Sequence, residues 1–382
     1  MPPPSSLPFI APTLHSWVFL RYDVTNEISY FLCKIKQVHG NSSADNIVSN
    51  AARCLYAWGA PEHIRVHPGA VKPLIRPARH DPEIHGVDGL GGVEGLPTAD
   101  LPEVASRLLV EGATIKAIEG MSKAVSTAWR NGDGNKVAII STGPMTNIAL
   151  FVSVYPELLG GVGAFLERLA SCKYWLQLID WELEEEFVFM GGGVGLGNRS
   201  PSAEFNIMCD PEASQIVLDA PVKTTMIPLN VTHTAIVTDA VHRRLLDPAH
   251  QTQADAPLPP ASTPLRHTLS TLMSYFAAAY KATFGFMYGP PLHDALTVAY
   301  VSRPDLFKCQ RYRVDIELAG THTTGETVVD IWDYRICDDT WGPTGKNCMV
   351  AESLNVDGFF DLLLDCIVRC DAVSPLNKKV VA

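Results

Sequence analysis

Apolar residues recur at helical spacing in NIVSNAARCLYAW, residues 46–58, and Gly59-Ala60-Pro61 closes the pattern, which predicts a helix there. KVAII at 136–140 is different: a short β-branched run that ends in Ser141-Thr142-Gly143-Pro144, with the helical pattern TNIALFVSVYPELL directly behind it. The same sequence of strand, tight turn and helix recurs where FVFM at 187–190 leads through GGGVGLGN to DPEASQIVLDA. TTMIPLN at 224–230 predicts a third strand, with Thr232 placed to cap another helix. Strands alternating with helices predict an α/β fold, an open, mainly parallel central sheet with flanking helices. Functional loops then belong at the carboxyl ends of the strands.

Several stretches carry no such pattern. The first forty residues are rich in Pro, Ser and aromatics without a period of 2 or 3.6, and residues 162–185 are equally unmatched to a core. Residues 1–37 and about 162–185 are expected to pack poorly, as loose helices lying outside the sheet. The domain reading is therefore an atypical segment 1–37 followed by one domain over 38–372, with an atypical insertion near 162–185. HDPEIHGVDGLGGVEGLP, residues 80–97, reads as a long loop, and loops of that length are commonly functional. The Pro-rich stretch 256–264 reads as an exposed loop.

Composition narrows the class. Of 382 residues, 47% are hydrophobic and 19% charged, which is enough for a sizeable core. With 41 acidic against 30 basic residues the formal charge is −11, which disfavours a surface built to neutralise nucleic-acid phosphates. No apolar run approaches a membrane span, and the amino terminus lacks the basic and apolar regions of a secretory signal. Nine scattered cysteines without a CxxC read as reduced thiols, so a cytoplasmic enzyme is expected.

Three clusters could carry chemistry. Met190, Asn198, Glu204 and Asn206 surround the glycine-rich turn after FVFM, where amides and a carboxylate suit vicinal hydroxyls. The glycines fit GxGxxG in no register, which argues against a dinucleotide-dependent oxidoreductase. His293-Asp294 opens an apolar helical stretch; the bland reading is a cap with a surface imidazole, the functional one a proton donor to a leaving group. The turn at Thr142 could offer a carbonyl to a hard cation, or Thr146 could simply cap the helix that follows. His85 in the long loop could face a ligand.

Taken together, VHGNSSADNIVSNA, EIHGVDGLGG, STGPMTNIAL, FVFMGGGVGLGNRSPSAEFNIMCDPEAS, MIPLNVTH and PLHDALTVAYVSRPDLF resemble the inosine–uridine nucleoside hydrolase family. The likeness spans roughly residues 38–160 and 187–370, and the long glycine-to-DPEA block is its most specific part. It implies the nucleoside hydrolase fold, hydrolysis of ribonucleosides to ribose and free base, a bound Ca²⁺, and a homodimer or homotetramer. Carried over by position, Asn41, Asn198, Glu204 and Asn206 would hold the ribose, with Met190 beside them. Thr142 and Asp294 would ligate calcium, His293 would assist departure of the base, and His85 and Tyr280 would contact substrate from variable loops. The family's amino-terminal DxDxGxDD cluster is missing: Asp23 is the single aspartate before Asn41. Calcium is therefore expected to bind weakly or not at all and hydrolysis to be impaired. The alternative is a riboside-binding relative without catalysis.

Overall fold

The computed structural model describes residues 17–21, 34–108, 116–162, 186–249 and 257–378. Their strands are β1 (Trp17–Arg21), β2 (Lys34–Gln37), β3 (Arg65–His67), β4 (Ala138–Ser141), β5 (Phe187–Met190), β6 (Thr224–Ile227), β7 (Phe307–Ile316), β8 (Thr327–Asp330) and β9 (Cys348–Leu354). They form one sheet in the order β3-β2-β1-β4-β5-β6-β9-β7-β8. β4, β5, β6 and β9 run parallel through its middle. β1 is antiparallel to both β2 and β4, and β7 is antiparallel to β8 and β9.

Helices cover both faces. In chain order they are α1 (Ala44–Ala57), α2 (Pro82–His85), α3 (Pro102–Ala105), α4 (Ala117–Trp129), α5 (Thr146–Val154), α6 (Phe205–Cys209), α7 (Pro211–Leu218), α8 (Leu229–Thr232), α9 (Asp239–Leu246), α10 (Pro264–Phe284), α11 (Ala295–Ser302) and α12 (Val356–Val373). Because side chains alternate along a strand, the central strands feed two cores. Ile140, Val188 and Ile227 pack with α1, α10, α11 and α12. Ile139, Phe187, Phe189 and Met226 pack on the other face with α4, α5 and α7. Strands buried on both faces explain why KVAII and FVFM read as continuous apolar runs.

Local chemistry sets the boundaries. α1 begins two residues before its apolar pattern because Ser43 Oγ accepts the Asn46 N–H at 3.3 Å. It stops at Gly59, whose φ is +70° and where a Cβ would lie 2.7 Å from the Val373 carbonyl. The third strand ends at Ile227, because Pro228 cannot extend the ladder, and Leu229–Thr232 form a short helix instead. Thr232 therefore caps nothing; the capping hydroxyl is that of Thr238, which accepts the Val241 N–H of α9 at 3.4 Å. Pro264 does not close a loop but opens α10, behind the Thr263 cap.

The expectation that residues 1–37 pack outside the sheet is overturned for two stretches of them, while 1–16 and 22–33 lie outside the described residues. Trp17–Arg21 and Lys34–Gln37 lie inside the sheet, with β1 between β2 and β4. The insertion expected at 162–185 lies, beyond Val162, outside the described residues until Glu186.

Candidate active site

The carboxyl ends of the central strands open onto a cleft, where functional loops gather in an open α/β sheet. Asn41, His85, Met190, Asn198, Glu204, Asn206, Tyr280, His293 and Asp294 all line it. Residues far apart in the chain are thus brought to one place. Thr142 is the exception: it is fully buried in the turn after β4 and is not part of the cleft wall.

One end of the cleft is built from amides and a carboxylate. Glu204 is the N-cap of α6: its Oε1 accepts the Asn206 N–H at 3.0 Å, and its Oε2 accepts those of Gly192 at 3.1 Å and Ile207 at 3.2 Å. Burial pushes its carboxyl up to about 7, with the negative charge of Asp294 adding to the effect and the three N–H donors opposing it. Gly192 has φ +73°, and a Cβ there would lie 2.8 Å from both Met226 Sδ and Thr327 Oγ1, so glycine is required for the approach. Asn206 donates from Nδ2 to the Met190 carbonyl at 3.1 Å and to its sulfur at 3.3 Å. Asn198 Oδ1 accepts the Phe205 N–H at 2.9 Å, which leaves its amide nitrogen as the group to offer a ligand. Asn41 stands on the turn after β2, its carbonyl holding the Asp81 N–H at 3.0 Å.

The other end carries an imidazole and a phenol. His293 is 7% exposed, so the surface-imidazole reading of the His-Asp pair is wrong. Its Nδ1 lies 2.7 Å from Thr232 Oγ1 and its Nε2 lies 2.9 Å from the Tyr280 hydroxyl. Burial, and then the charges of Asp294, Asp81 and Glu204, push the Tyr280 phenol up, so it stays protonated. A protonated imidazole donating from Nε2 to the phenol oxygen can refill that hydroxyl as its proton passes to a heteroatom in the cleft, leaving a neutral imidazole. His85 closes this end, its ring edge-on to Phe276 at 5.4 Å between centroids. Asp294 holds the N-cap position of α11 without a side-chain cap bond and is 2% exposed.

Asp81, Arg199 and Phe284 also line the cleft and were not anticipated. Arg199 Nε donates to Asp81 Oδ2 at 2.9 Å and Nη2 donates to Oδ1, while the guanidinium lies 5.4 Å from the Phe284 ring centre. The partners are 118 residues apart, so no local pattern reports the pair. Thr146 was also misjudged: it does not cap α5, but lies between His39 Nε2 at 2.8 Å and Asp210 Oδ2 at 2.5 Å.

Among the described residues the donor set falls short of what calcium takes. Hard cations of that kind take about 6–8 oxygen ligands, several of them carboxylates. Among the described residues no group of three or more His, Cys, Asp or Glu could hold a metal ion. Within the cleft Asp81 is forked by Arg199 and Glu204 is bound to three backbone N–H groups, so neither carboxylate is presented to a cation.

Comparison with known proteins gives the family. A family model described as inosine-uridine preferring nucleoside hydrolase matches residues 24–361. The chain is 34% identical to the "Probable ribonucleoside hydrolase" of Dictyostelium discoideum, over 88% of this chain and 86% of that one. It is 32% identical to the "Pyrimidine-specific ribonucleoside hydrolase RihA" of Shewanella woodyi, over 85% of each. Among solved structures, a purine-preferring ribonucleoside hydrolase from Gardnerella vaginalis shares the fold at a TM-score of 0.68 and 22% identity, covering 90% of this chain and 92% of that one. With the α/β sheet, the cleft and the matched residues in place, the chain belongs to the inosine-uridine preferring nucleoside hydrolase family, enzymes that hydrolyse the N-glycosidic bond of ribonucleosides.

Proposed function

We propose that the cleft binds a ribonucleoside with its ribose among Asn41, Asn198, Glu204 and Asn206, beside Met190, and its base toward His293, Tyr280 and His85. The observation that carries this reading is the convergence of those residues, from five separate segments, on one cleft. Carboxylate and amide groups accept and donate to vicinal hydroxyls, and such bonds strengthen as an oxocarbenium-like ribosyl centre develops. At the opposite end, His293 and Tyr280 supply a proton to the departing base.

We further propose that hydrolysis by the chain as written is impaired. Attack on the ribosyl carbon needs an activated water, which a metal supplies by lowering the water's pKa. Thr142 and Asp294 are the family-matched ligands, and a single carboxylate makes a weak calcium site. The direction of β1 bears on this: Val18 pairs with Ser141 and Arg21 with Ala138, so its carboxyl end lies away from the cleft. Residues 1–16, which precede its cleft-side end, contain no Asp or Glu. After Gln37 the next carboxylate is Asp45, exposed on α1. The same observation favours the second reading, a riboside-binding protein without turnover.

No helix among the described residues is long and apolar enough to cross a membrane. Buried thiols at Cys54, Cys209, Cys348, Cys366 and Cys370, outside any disulfide among the described residues, support a reducing compartment, the cytoplasm. For a homodimer or homotetramer, the exposed Trp332, Tyr334 and Ile336 beyond β8 offer apolar surface, which sedimentation of Ile336→Glu tests.

Calorimetry with inosine, uridine and 2′-deoxyinosine tests the ligand. A site whose polar groups are built around a hydroxyl penalises its loss heavily, so ribonucleosides are expected to bind at least tenfold more tightly, on the order of what a lost polar contact costs. Equal affinity for inosine and 2′-deoxyinosine overturns the ribose assignment.

A further inference from the structure

Arg199 and Asp81 stand on different walls of the cleft, and the reading above gives them no task. Arg199 follows Asn198 in the loop after β5, and Asp81 holds the N-cap position of α2 without capping it. Their fork is largely sheltered, the two side chains being 18% and 9% exposed. The same guanidinium lies over Phe284, the last residue of α10, one turn beyond Tyr280. On the far side, the Asp81 N–H is bonded to the Asn41 carbonyl at 3.0 Å, and His80 Nδ1 donates to the Gly40 carbonyl at 2.8 Å. One planar cation therefore ties the Asn41 turn, the Asn198 loop and the end of α10 together.

We propose that Arg199 is a positioning residue that latches these three walls and fixes the spacing of Asn41 and Asn198, so that it sets how sharply the cleft tells ribose from 2-deoxyribose. The proposal rests on the ribonucleoside reading. A bidentate guanidinium–carboxylate fork has a set geometry that a single ammonium cannot reproduce, and stacking on an aromatic face adds a second restraint. Because the latch joins two loops to the last turn of α10, whose buried core residues lie in earlier turns, its loss is expected to open the cleft without unfolding the protein.

Arg199→Met, Arg199→Lys and Asp81→Asn in the full chain provide the test. Calorimetry with inosine and 2′-deoxyinosine is paired with hydrogen exchange of the unliganded protein over residues 80–92 and 198–203. Arg199→Met is expected to weaken inosine about tenfold, to lower the ribose-to-deoxyribose ratio several-fold, and to raise exchange in both loops together. Arg199→Lys is expected to keep part of the affinity and less of the ratio. Asp81→Asn is expected to follow Arg199→Met, and the double variant to lose no more than either single one. Exchange that is unchanged, or raised in one loop alone, overturns the latch whatever binds. An unchanged ratio in Arg199→Met does so as well. Wild-type protein that binds neither nucleoside, while exchange still rises in both loops, overturns the ribonucleoside reading and leaves the latch standing as a link between the walls.

Discussion

Glu204 serves the fold and the cleft at once. Its two oxygens hold three backbone N–H groups at the start of α6 and behind the glycine turn, in the wall where a ribose would lie. Glu204→Gln removes acceptor capacity and leaves a buried donor unpaired, which costs roughly 1–3 kcal/mol. Urea unfolding is expected to report that loss, and calorimetry at least a tenfold drop in riboside affinity. His39 behaves differently: burial, then His80, lowers its pKa from 6.5 to about 4. The unfolded chain binds the extra proton first, so stability is present above 6.5 and falls as pH drops toward 4. Unfolding free energies between pH 7 and 4 are expected to slope less in His39→Gln than in the wild type. The residues legible in sequence were those in contiguous blocks, such as GN, AEFN and HD. Asp81 and Arg199 escaped because their meaning lies in a contact between distant loops.

α10 carries the base-side wall, and its far end anchors it. Thr263 Oγ1 accepts the Arg266 N–H at 3.2 Å, and the Arg266 guanidinium, 1% exposed, is paired with Asp371 of α12. Asp371→Ala strands a buried cation, and losing one partner of such a pair costs about 3–5 kcal/mol. Chemical denaturation checks this, while the ribose-to-deoxyribose affinity ratio is expected to stay at the wild-type value because the cleft end of α10 is untouched. Elements with a clean period were read correctly: α1, α5, β4 and β5 stand within two residues of their patterns, apart from the one-turn tail of α5, which becomes a 3-10 segment after Pro156. Thr232 misled because a proline in TTMIPLN splits the run, and the first Thr after it does not cap. β1 was missed because WVFLR has neither alternation nor flanking turn residues, and its place is set by pairing with β4, which no local pattern encodes.

At the scale of the molecule, alternating strands and helices were enough to read the open α/β sheet, and the reversed direction of β1 was not readable at all. That reversal matters because parallel strands deliver their following loops to one edge, and this strand delivers its own to the other. Replacing residues 1–37 by a parallel strand that ends in DxDxGxDD is therefore expected to raise calcium affinity, measured by titration calorimetry, and to restore turnover together with it. The chain itself is the sharper test. Inosine and uridine incubated with the 382-residue protein and calcium, with free base followed by chromatography, are expected to stay bound and intact, with little or no base released. Steady release of base by the unaltered chain, abolished by Asp294→Ala and by a chelator, would contradict the account.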